Sequence, residues 1–68
     1  MKFSPKQKEI LKIAKEGYLN SEIIQGVFSS PISRKANIER FLAIGILYPV
    51  DGGKYKVNLE RLNELNGD

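Results

Sequence analysis

The chain of 68 residues has no cysteine and no histidine. Disulfides, thiol nucleophiles, imidazole acid–base chemistry and the usual zinc ligands are therefore excluded. Carboxylates alone can hold a hard metal ion, but the eight acids lie singly, mostly beside lysines, and form no Asp/Glu-rich loop. No apolar run approaches the roughly 18 residues of a membrane span, and the lysine-bearing start lacks the apolar stretch of a signal peptide. Asp51-Gly52-Gly53 lacks the helix and the Lys-Ser/Thr pair that follow a phosphate loop. There is no internal repeat, linker or low-complexity segment. A chain this short buries only about 60% of its unfolded surface, so one domain over residues 1–68 is expected, with no deep substrate cavity. The expectation is a soluble cytoplasmic protein that is not an enzyme, binds no membrane and uses no metal or cofactor.

Eleven Lys and Arg stand against eight Asp and Glu, giving a net charge of +3 and a pI near 9.3. This mild excess permits nucleic-acid binding, and the distribution of charge has to decide.

Ser4-Pro5-Lys6-Gln7 is a helix start: Ser4 caps, Pro5 fits the first helical position and Gln7 closes a capping box. Ile10, Leu11 and Ala14 follow at helical spacing, and Gly17 is a stop in the left-handed conformation, so the first helix runs from about Pro5 to Glu16. Asn20 caps a short second helix that ends near Phe28, with Ile23, Ile24, Val27 and Phe28 on its apolar side. Ser30 with Pro31 opens a third helix, and Ser33 is an alternative cap. Ile38, Phe41, Leu42 and Gly45 share one face of that helix, and Gly45 ends it.

Gly45 to Val57 contains the only β signal of the sequence. Asp51-Gly52-Gly53 tolerates the positive φ of a tight hairpin turn. In Lys54-Tyr55-Lys56-Val57 the alternation points two lysines to water and two apolar residues to the core. Pro49 has no N–H and belongs on an open strand edge. Asn58 then caps a last helix closed by Asn66-Gly67, whose Leu59, Leu62 and Leu65 finish the core or form part of a dimer face. The expected core joins Ile10, Leu11, Ala14, Ile23, Val27, Ile38, Phe41 and Leu42, with Leu47, Tyr48, Tyr55 and Val57 covering one end. Phe3, Tyr18, Tyr48 and Tyr55 are dispersed along the chain and read as packing residues rather than base-stacking platforms.

The stretch from Ser21-Glu22-Ile23 to Gly45-Ile46-Leu47, with a hairpin directly after it, resembles the helix-turn-helix of winged helix DNA-binding proteins. The opening, Ser4-Pro5-Lys6-Gln7-Lys8-Glu9-Ile10-Leu11, also looks like the start of response-regulator effector domains. The resemblance implies a mainly α fold with a small β-hairpin: a three-helix core, a two-strand wing and a short C-terminal helix. The sequence departs from the pattern twice. Phe28 and Ser29 occupy the turn that usually carries a glycine, and Arg34 stands where an apolar residue is usual. Either Arg34 lays its stem along the core or the third helix starts late.

Turning Ile38, Phe41, Leu42 and Gly45 inward sets Ser33, Ala36, Asn37, Arg40 and Ala43 outward at 100° per residue, with Arg34 and Lys35 flanking the inward stripe. In a helix-turn-helix, the start of this helix reaches base edges in the major groove. Asn37 suits adenine, and Arg40 suits guanine or a phosphate. Ser29, Ser30, Ser33 and the helix N-terminus suit phosphates. The cluster Ser30, Ser33, Arg34, Lys35, Asn37 and Arg40 contains one acid, Glu39. The resemblance adds Lys54 and Lys56 on the wing, against a phosphate or in the minor groove. Lys8, Lys12 and Lys15 read as a solvated face diluted by Glu9 and Glu16.

The expected function is duplex-DNA binding by a small transcriptional regulator, associated with the nucleoid, with a homodimer as a further option. The alternative is a winged helix module for protein–protein interaction in a replication, transcription or trafficking assembly, favoured by the modest charge, Glu39 and Arg34.

Overall fold

A computed structural model describes residues 2–66. Its elements are α1 (Pro5–Glu16), α2 (Ser21–Val27), α3 (Pro31–Ala43), β1 (Leu47–Val50), β2 (Lys54–Val57) and α4 (Leu59–Asn66). The fold is mainly helical with a two-strand antiparallel hairpin.

Side-chain caps set the helix starts. Ser4 Oγ accepts from the Gln7 N–H at 3.2 Å while Gln7 Oε1 accepts from the Ser4 N–H at 2.9 Å, completing the capping box. Asn20 Oδ1 accepts from the Ile23 N–H at 2.8 Å, and Asn58 Oδ1 from the Arg61 N–H at 3.1 Å. Ser30, not Ser33, caps α3, so that helix does not start late. Gly17 ends α1 with φ −175°, which is extended rather than left-handed, because the chain runs on at once to pair Leu19 with β2. At the end of α3, Gly45 has φ +81°. The Ile46 N–H reaches the Phe41 carbonyl at 3.0 Å and the Gly45 N–H reaches Leu42 at 3.2 Å, a Schellman closure sealed by buried Ile46 and Phe41. Gly52 and Gly53 both take positive φ in the hairpin turn. The Gly67 stop expected for the last helix lies outside the described residues.

Leu19 changes the sheet. Its N–H and carbonyl each bond Tyr55 at 2.8 Å, forming an isolated antiparallel bridge on the side of β2 away from β1. The hairpin is thus not the only β feature. A single bridging residue shows no alternation and leaves no pattern in sequence. Because both polar groups of Tyr55 face Leu19, the Pro49–Tyr55 pair is not hydrogen-bonded. The missing donor of Pro49 therefore faces the open edge, as expected.

The core gathers Ile10, Leu11 and Ala14 of α1, Leu19, Ile24 and Phe28, Ile38 and Phe41, Ile46, Leu47 and Leu62. Ile24 and Phe28 are buried, whereas the expected Ile23 and Val27 are only partly so. Leu42 is likewise only partly buried. Two further expectations are corrected. Tyr48 is 45% exposed, because its register partner is Lys56 on the outer face of the sheet. Of the three leucines, Leu62 is 1% exposed but Leu59 is 53% exposed. A spacing of three drifts by about 60° per step on a helix, so the middle leucine faces the core squarely.

Candidate nucleic-acid interface

The turn between α2 and α3 leaves carbonyls without a helical partner, and it holds no glycine to fold them away. Arg34 supplies the remedy. Its Nη1 donates to the carbonyls of Phe28 and Ser29, both at 3.0 Å, with the side chain half-buried. The side chain turns back along its own helix to brace the turn. Asn37 is also half-buried and bonded at both ends of its amide. Its Nδ2 donates to the Ser33 carbonyl and its Oδ1 accepts from Gln7 Nε2, each at 2.8 Å. The outward orientation expected for Asn37 gives way to a link between α3 and α1. Gln7 serves the capping box and this link together, a role that depends on a neighbour distant in sequence.

Ser33, Lys35 and Arg40 are exposed on α3. Ser30 is exposed too, with its hydroxyl oxygen accepting from the Ser33 N–H at 3.4 Å. The same side of the helix carries Ile32, 83% exposed, with Ala36, Glu39 and Ala43 exposed nearby. Ile32 escaped the sequence reading; its place one residue after Pro31 puts it in line with Ala36 and Ala43 at 100° per residue. Arg61 Nε donates to the Ile44 carbonyl at 2.7 Å, so two of the three arginines are tied to backbone carbonyls and Arg40 is the remaining one. An exposed Arg61–Glu64 contact of 3.7 Å adds little stability.

Comparison with protein-family models, curated proteins and solved structures gives no match.

The hairpin lysines differ from one another. Lys56 is exposed, as expected. Lys54 is half-buried and sets its Nζ 4.4 Å from the centre of the Tyr18 ring, a cation–π contact. Two shallow depressions flank α3. One, of about 470 Å³, lies where the N-termini of α1 and α3 open beside Lys6, Ser29 and Ser30. Both helix dipoles present positive ends to it. The other, of about 380 Å³, has an apolar floor of Ile24, Ile38, Leu42 and Tyr55, with Gln25, Lys35 and Glu39 at its rim. Among the described residues, no group of three or more acids could hold a metal ion, and no helix is long and apolar enough to cross a membrane.

Proposed function

We propose that the chain is a winged helix domain that binds duplex DNA as a small transcriptional regulator. In this reading α3 enters the major groove and the hairpin meets the backbone. The observation that carries it is the exposed side of α3, where Ser33, Lys35 and Arg40 project from a helix held at its base by Arg34 and Asn37. Fixing the helix through side chains that do not themselves face the groove preorganises the ones that do. Arg40 reads guanine or grips a phosphate, and Lys35 grips a phosphate. Ala36 and Ile32 lie against thymine methyls. The paired helix N-termini beside Ser29 and Ser30 favour a further phosphate. Lys56, with Lys54 released from Tyr18, neutralises backbone beyond the groove. One module of this size covers a small footprint, so two copies on two half-sites fit the reading.

A second reading, a protein-interaction module, draws on Ile32, Ala36, Glu39 and Ala43. These give part of α3 an apolar stripe with an acid in it, next to the apolar groove of about 380 Å³. Salt response separates the two. In an NMR titration with a short random duplex, shifts at Ser30 to Arg40 and Lys54 to Lys56 support the DNA reading. Its affinity should fall with a log–log slope of about 0.9 per neutralised phosphate. Absence of shifts there, at low salt, rejects it in favour of a protein partner.

A further inference from the structure

The pairing of the sheet brings two tyrosines, distant in sequence, onto one face with two lysines. Tyr48 stands opposite Lys56 across the hairpin. The Leu19–Tyr55 bridge, carried one residue along, places Tyr18 beside Lys56 on its other side. The side chains of Leu19 and Tyr55 pack inward, so Tyr18 lies on the outer face, and the Lys54 contact with its ring agrees. A row Tyr48–Lys56–Tyr18 therefore crosses the sheet, with Lys54 diagonal to it.

Neither ring is used by the core: Tyr48 is 45% and Tyr18 40% exposed. No acid occupies a register position on this face; the nearest in the chain are Glu16, two residues before Tyr18, and Asp51 in the turn. We propose that this face binds an unpaired stretch of nucleic acid, with bases stacked on Tyr18 and Tyr48 and phosphates held by Lys54 and Lys56.

Spacing selects the single strand. Adjacent strands lie about 4.8 Å apart, so the backbones that carry the two tyrosines are about 10 Å apart across the sheet. Bases in a duplex are stacked on one another at about 3.4 Å along each strand and offer no free face to rings so placed. An unstacked strand does, and every base has a face to stack, so the site tolerates sequence. An ammonium over an exposed ring is held more weakly than a stacked base. A base therefore displaces Lys54 from Tyr18 and leaves it beside the adjoining phosphate. This ligand differs from that of α3, and the inference does not rest on the duplex reading.

The test is fluorescence anisotropy with a labelled thymidine 12-mer, a uridine 12-mer and a random duplex. Tyr48→Ala and Tyr18→Ala should each weaken single-strand binding about fivefold or more. Both should leave duplex binding within about twofold, whereas Arg40→Ala should do the reverse. Tyr48→Phe keeps the ring and should bind as the parent does. Tyr48→Leu, a folded apolar substitute on a strand, should fail as Tyr48→Ala does. Absence of binding to both 12-mers, or equal binding by Tyr48→Leu and the parent, overturns the proposal without touching the duplex reading. Loss of duplex binding alone, with tyrosine-dependent binding of the 12-mers intact, overturns the duplex reading instead.

Discussion

Replacing Arg34 by methionine separates bracing from contact with a ligand. Methionine keeps most of the stem and removes the donors to Phe28 and Ser29, each at 3.0 Å. The Ser29 carbonyl is exposed and turns to water at small cost, whereas the Phe28 carbonyl sits in a part-buried bond. A hydrogen bond from a charged donor contributes about 1.5–3 kcal/mol, part of which water restores at a half-exposed site, leaving a net loss of about 1–2 kcal/mol. Domains of this size lose about 4–8 °C of Tm per kcal/mol, so Arg34→Met should melt about 4–16 °C lower. Thermal circular dichroism reads the shift, and Arg34→Lys, which lacks the planar fork, should restore only part of it. Two results would refute the reasoning. One is a Tm within about 2 °C of the parent. The other is loss of duplex binding at unchanged Tm, which would make Arg34 a phosphate contact rather than a brace.

Leu62→Ala should cost about 2–5 kcal/mol in urea unfolding. Leu59→Ala should cost no more than about 0.5, and equal losses would contradict the placement of the last helix. At Gly45→Ala the new Cβ would meet Arg61 Cγ at 3.5 Å, an ordinary contact, so the cost is that of φ +81°. About 1–2 kcal/mol is expected, again from urea unfolding, and a neutral result would argue against the left-handed closure of α3. Lys54→Ala combined with Lys56→Ala should weaken all duplexes alike and flatten the log–log salt slope by up to about 1.8. Arg40→Ala should instead relax sequence preference in a binding-site selection. If the lysine changes altered base preference, the roles assigned to helix and hairpin would be reversed.

Helix boundaries were legible wherever a cap was written into the sequence. Ser4-Pro5, Asn20, Ser30-Pro31 and Asn58 each satisfy the first-turn amides of their own helix, so a few adjacent letters suffice. The glycines of the turn and of the α3 end were legible for the same reason. What escaped depends on neighbours far along the chain. Leu19 is a strand only because Tyr55 lies beside it, and Asn37 turns inward only because Gln7 offers an amide. Arg34 reads as an anomaly until the orphan carbonyls of a short α2 come into view. Tyr18 and Tyr48 look scattered in sequence and become neighbours of one lysine once the register is known. Helical periodicity names a face, but not which of its edges meets another helix.

The Leu19–Tyr55 bridge has a consequence for how the molecule opens. Its two hydrogen bonds lie within no helix and not between the hairpin strands, and they join the loop after α1 to β2. Fraying of a helix end leaves them shielded, and so does opening of the hairpin turn. They become exposed only when the sheet separates from the helices, which also uncovers Leu19 and Ile46, both 0% exposed. In native-state hydrogen exchange these amides should therefore share the slowest rate in the chain and report the free energy of global unfolding. Equal, slowest exchange at these two amides would mark helices and hairpin as one cooperative unit, with Leu19 and Tyr55 as its gauge.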